Sequence, residues 1–214
     1  DFFTARFGDD GELNVIDDYL KRRGWREKVP AKRYLTAIRD SVISLYEVVD
    51  LDPGKAMTVR DMIRGGDPVT VEEKLGSESA ARWDRIAARL VTVNNKPCFT
   101  GGMLLLSHEA SSKFMAVFEE TARVFRTKLR REAKKQGESP EISPEAVKAL
   151  LLQSSGARLF TQAWLTDALG QINAPLPEMR NTDGDKIMFS EVRFPISGDE
   201  AKLVAVIDGI DYIE

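Results

Sequence analysis

The sequence predicts an α+β protein: N-terminal helices, a small five-stranded OB-like or SH3-like β-barrel, a helical middle and a partial C-terminal α/β unit. Two periodicities and one set of turns predict it. Apolar residues recur at helical spacing before residue 43 and after residue 107, but alternate with polar ones in between, as half-buried strands require. The turns joining the alternating stretches are spelled in Pro, Gly and Asn, the residues that tolerate tight backbone geometry. A chain of 214 residues, 43% hydrophobic and 30% charged, is long enough to bury a core.

Taken in order, Leu13, Ile16, Tyr19 and Leu20 mark a first helix, led by Asp9, Asp10 and Glu12, whose charges suit the positive end of its dipole. After Gly24, Pro30 opens a second helix with the apolar stripe Tyr34, Leu35, Ile38 and Val42. Five strands are expected near 44–51, 55–63, 68–74, 85–94 and 97–106. Asp52-Pro53-Gly54-Lys55 fits a type II turn, while Gly65-Gly66 and Asn94-Asn95 permit left-handed geometry. Between the third and fourth strands, Ser77 to Trp83 reads as one helical turn capped by Ser77 or Ser79. Gly101-Gly102, inside an apolar strand, marks a bulge or barrel corner.

A long helix starts near Ser107, with Phe114, Val117, Phe118, Phe125 and Leu129 on one face, and stops at Gly137 and Pro140. Ser143-Pro144-Glu145 caps another, and Gly156 is expected to break it from a buried helix at 157–172. Asn181 to Asp185 suggests a hairpin turn before a strand over Lys186 to Phe194, with a helix after Ser197. The expected segments are therefore 1–43 (helices), 44–106 (barrel), 107–173 (helical) and 174–214 (hairpin plus helix, read as incomplete).

Composition excludes several classes. Cys98 is the single cysteine and His108 the single histidine, so neither an internal disulfide nor a zinc site of soft ligands is available within the chain. A cytoplasmic setting is expected, without cofactor. No apolar run approaches the ~20 residues of a membrane helix, and Asp1-Phe2-Phe3 lacks the basic start of a signal peptide, which fits a trimmed N-terminus.

The strings Tyr19-Leu20-Lys21-Arg22-Arg23-Gly24-Trp25, Tyr34 to Glu47, Trp83 to Arg89 and Asn181-Thr182-Asp183-Gly184-Asp185 together resemble a group of uncharacterised bacterial proteins. Some of these carry a SEC-C-type cysteine-rich tail. The resemblance implies a bacterial cytoplasmic protein and adds no site residue. This chain has no cysteine cluster, so zinc binding by such a tail does not carry over.

Two functional readings follow from the residues. The first is a non-enzymatic binding or regulatory protein whose basic helical surfaces contact a protein or nucleic-acid partner. Arg123, Arg126, Arg130 and Lys134 project opposite the apolar face of the long helix, where cations neutralise phosphates or simply favour the negative end of the helix dipole. A second basic run spans Lys21 to Arg33. The expected second and third strands contain no Phe, Tyr or Trp, so the barrel lacks the stacking aromatics of a nucleic-acid-binding OB fold. The alternative is a metal-dependent nuclease, in which Asp183, Asp185 and Glu191 would hold Mg²⁺ beside Arg193. Arg193 cannot release a proton as a base, and Asp183-Gly184 is equally the chemistry of a turn. Gly54-Lys55 lacks the rest of a phosphate loop, and the lone His108 would have to serve any Ser or Cys nucleophile, which argues against hydrolase chemistry of that type.

Overall fold

A computed structural model describes residues 6–7, 13–135, 137, 141–174, 182, 183 and 185. Packing divides the chain into Asp1–Asn173 and Ala174–Glu214. In the second unit, Thr182 and Asp183 form a turn where the hairpin was expected, and the strand and helix beyond it lie outside the described residues.

The first unit opens with β1 (Arg6–Phe7) paired antiparallel to β2 (Leu13–Asn14). Asn14 then caps α1 (Val15–Arg23), its side-chain oxygen accepting from the Ile16 N–H at 2.9 Å and the Asp17 N–H at 3.3 Å. A single 3₁₀ turn, Gly24–Arg26, leads to α2 (Val29–Arg39), with Pro30 in its first turn as read from sequence. Ile16 and Ile38 bury against Val91, which lays both helices on the sheet.

The sheet contains β3 (Ile43–Asp52), β4 (Ala56–Asp61), β5 (Val69–Glu72), β6 (Arg85–Val93) and β7 (Lys96–Leu106), all antiparallel, in the order β5-β4-β3-β6-β7. The turns match their chemistry: Gly54 has φ +76° and the Lys55 N–H donates to the Asp52 carbonyl, while Asn94 and Asn95 both take positive φ in the β6–β7 hairpin. The sheet is open: among the described residues no hydrogen-bonded ladder closes it into the expected barrel. Its edges nevertheless curl together. Glu72 of β5 lies 3.6 Å from Lys96 of β7, and Val71, Phe99 and Met103 share a core with Tyr46, Val48 and Val59. Side chains fill the place where a ladder would close, because Gly76 in α3 (Lys74–Ser79) packs against Met57 and Met103.

That short helix begins earlier than its serines suggest, since the Glu73 side chain caps it by accepting from the Gly76 N–H. It also ends before Trp83, which sits at φ +77° in a turn where the Asp84 N–H donates to the Ala81 carbonyl. A positive φ is uncommon for a bulky side chain. Here the Trp83 N–H bonded to the Val48 carbonyl at 2.7 Å holds the geometry.

On the face of the sheet opposite the Tyr46, Val48 and Val59 core lie α4 (His108–Lys135), α5 (Pro144–Leu151) and α6 (Ala157–Ile172). Their core joins Leu45, Ala87 and Leu106 of the sheet to Phe118, Val147 and Phe160. Three expectations need correction. Val117 is 66% exposed, so the inner face of α4 runs instead through Phe114, Phe118, Ala122, Phe125 and Leu129. Gly156 does not break the chain: Leu152–Gly156 forms a π-helical turn that carries α5 into α6, and the missing side chain lets the backbone approach Ile43. Finally, α6 is not buried all round, since Phe160 is enclosed but Leu165 and Leu169 are 46% and 55% exposed. Its opposite side has no cover among the described residues.

Candidate functional site

Two surfaces carry chemistry. The first is the outer side of α4. Residues 123–135 hold seven cations against the single carboxylate of Glu132. At 3.6 residues per turn, Arg123, Arg130 and Lys134 fall opposite the buried side, as the sequence suggested. Two of the four expected residues are already engaged. The Arg123 guanidinium grips Glu120 through two hydrogen bonds of 2.9 and 2.7 Å, and the Arg126 Nε–H donates to the Ile142 carbonyl at 2.6 Å. Arg126 thus ties α4 to the segment leading into α5. Arg130 and Lys134 make no hydrogen bond or ion pair among the described residues, and neither do their neighbours Arg131 and Lys135. Lys128 lies 4.0 Å from Glu132.

The second surface is a cleft of about 940 Å³, floored by the sheet and walled by α2 and α6. Its walls are mostly apolar, with Leu35 and Ile38 on one side and Leu165 and Leu169 on the other. The floor has an unusual backbone. Ala87 pairs with Leu104 and Arg89 with Thr100, so β7 places Gly101, Gly102 and Met103 opposite Ala88 alone. This is the bulge expected from the glycine pair, and Gly101 adopts φ +80° within it. Arg89 lies beside it, 8% exposed. Its Nη1 donates to the Ser41 carbonyl at 2.7 Å and the Ser41 hydroxyl at 2.8 Å, and burial pushes the guanidinium pKa below its ordinary value. Among the described lining residues the charged ones are Arg89 and Arg158, and none is acidic.

Sequence reasoning missed this cleft. Arg89 interrupts the apolar run Ile86 to Val91, which was its one visible signal; the walls come from helices far apart in the chain.

The carboxylates read as a metal site are not assembled by what is described. Asp183 and Asp185 are exposed, and Glu191 lies outside the described residues. Among the described residues no group of three His, Cys, Asp or Glu side chains is placed to hold a metal ion. Cys98 is a partly buried strand residue packed beside the α1–α2 core, and burial pushes its thiol up. No helix among the described residues is long and apolar enough to cross a membrane.

Residues 1–135 match a family of unknown function, DUF7986. The chain belongs to that family. The DUF7986 match ends at the last residue of α4, so it takes in the whole sheet and the basic helix. No curated protein and no solved structure matches the chain.

Proposed function

We propose that this protein is a non-enzymatic binding protein that contacts the phosphate backbone of a nucleic acid through the C-terminal half of α4. The observation that supports it is the exposed set Arg130, Arg131, Lys134 and Lys135, four cations without an intramolecular partner among the described residues. A helix dipole favours cations at its C-terminus by about 0.3–1 kcal/mol each, which accounts for one or two of them. Four on two adjacent turns repel one another, and a polyanion relieves that repulsion by releasing its own counterions. Arg123 and Arg126 contribute less, because Glu120 and the Ile142 carbonyl hold them. The single cysteine and the resemblance to bacterial proteins support a bacterial cytoplasmic setting for this reading.

Contacts of this kind recognise charge spacing rather than base sequence, so the reading predicts binding that weakens steeply with salt. The test is a binding titration of the full chain with labelled double-stranded DNA at several salt concentrations. An acidic protein surface as the true partner would appear as absence of DNA binding at low salt.

A further inference from the structure

We propose that the turn between α1 and α2 is a platform for single-stranded nucleic acid, on which Trp25 stacks an unpaired base while the cations around it hold the flanking phosphates. This goes beyond the α4 reading and does not depend on it, since none of these residues belongs to that helix.

Charge comes first. Residues 21–33 carry seven cations and one carboxylate, that of Glu27. This carboxylate accepts a hydrogen bond from the Tyr19 hydroxyl and pairs with none of the seven cations. Two of the cations have partners: Arg22 meets Asp18 at 2.7 Å, and Arg33 donates to the Asn94 side chain at 2.7 Å. The side chains of Lys21, Lys28 and Lys32 make no hydrogen bond or ion pair among the described residues. Like charges gathered on one short segment favour a polyanion, whose bound counterions are released on contact.

The aromatic residue indicates which polyanion. Gly24 is buried, and the Glu27 N–H donating to its carbonyl at 3.1 Å closes the 3₁₀ turn, which leaves the Trp25 side chain outside the core and 72% exposed. The Arg26 guanidinium lies over the indole, 4.7 Å from the ring centroid, and so occupies one face. The opposite face is a flat apolar surface, and nucleic-acid bases of any sequence stack on such a ring. Bases within a duplex are already stacked on one another, so the ligand is an unpaired strand. An anionic membrane fits this segment less well. An interfacial helix shows lipid a broad apolar face, whereas only Val29 joins Trp25 here as an exposed large apolar side chain, and Leu35 and Ile38 of α2 pack toward Val91 of the sheet.

The probe is a labelled oligothymidylate of about 12 nucleotides, titrated with the full chain beside a strand of the same length and charge whose sugars carry no bases. The base-bearing strand should bind about tenfold tighter than the abasic one, a difference that charge alone does not produce. Trp25→Ala should erase that difference and Trp25→Phe should keep most of it, with melting temperatures unchanged because the side chain is so exposed. Lys21→Gln with Lys28→Gln, both exposed, should weaken both strands alike and flatten the salt slope by about 1.4. The proposal is overturned by absence of binding at low salt, by equal affinity for the two strands, or by a tenfold difference that survives Trp25→Ala. It is equally overturned if Trp25 is needed for sedimentation with phosphatidylglycerol vesicles and not for oligonucleotide binding. Arg130→Ala with Lys134→Ala should leave the difference between the strands intact, and Trp25→Ala should leave duplex binding intact, so failure here and failure of the α4 reading are told apart.

Discussion

The Asp167 carboxylate of α6 accepts two hydrogen bonds from Ser107, one from its backbone N–H at 2.7 Å and one from its hydroxyl at 2.8 Å. Ser107 in turn caps α4, its hydroxyl accepting from the Ala110 N–H at 3.1 Å. One carboxylate thereby fixes where the long helix begins and holds α6 beside it. Burial raises the Asp167 pKa, but the hydrogen bonds from Ser107 and Gln171 outweigh it and hold the group below its ordinary value.

Replacing that carboxylate should therefore show a pH signature. Asp167→Ala is expected to cost about 1–2 kcal/mol near neutrality, the scale of a lost helix cap. A depressed carboxylate stabilises the fold above its unfolded pKa of about 3.9 and loses that contribution as pH falls through the lower folded value. Urea unfolding at neutral and acid pH should show the gap between wild type and variant narrowing in acid. A gap independent of pH would remove the charge from the explanation.

Phe160 is fully enclosed and stacks on Phe114 with ring centroids 4.3 Å apart. Phe160→Ala should destabilise by about 3–5 kcal/mol, combining lost transfer energy with a cavity between α4, α6 and the sheet. A shift under about 1 kcal/mol in denaturant unfolding would mean that α6 is not part of the cooperative core.

Tyr46 offers an alkaline test. Burial pushes its phenol up to about 12, with the nearby Arg64 guanidinium pulling the other way. Because the folded pKa is raised above the ordinary value of about 10, the stabilisation is complete below pH 10 and is lost as pH rises through the folded value. Thermal melts should fall more steeply above pH 10 for wild type than for Tyr46→Phe. Tyrosinate absorbance that shows no late-titrating group would contradict this.

Arg126 separates structure from binding. With its guanidinium donating to the Ile142 carbonyl, Arg126→Ala should lower stability by about 1 kcal/mol. Arg130→Ala, on an exposed side chain, should stay within about 0.5 kcal/mol of wild type. Chemical denaturation of both variants checks the pair, and equal stabilities would show that the Ile142 bond contributes nothing in solution.

Local chemistry was legible in the sequence wherever one residue decides the backbone. Pro30, Gly54, Asn94-Asn95, Ser143 and the Gly101-Gly102 bulge all stand where their conformational preferences place them. Decisions made between distant segments were not legible. Whether β5 and β7 close depends on how Met57, Met103 and Gly76 pack, and whether Leu165 is buried depends on what lies above α6. The same limit hid the cleft, whose floor and walls meet only in three dimensions. For the basic helix, periodicity gave the outward direction of Arg123, Arg130 and Lys134, but not that Arg126 is half-buried against the Ile142 carbonyl or that Glu120 engages Arg123.

The salt dependence of DNA binding by wild type and by the double variant Arg130→Ala with Lys134→Ala tests the central claim most directly. Wild type should lose affinity linearly on logarithmic axes, and the double variant should flatten the slope by about two while keeping its stability. Identical slopes for the two proteins, or no binding at low salt, would contradict the assignment of α4 as a phosphate-contacting surface.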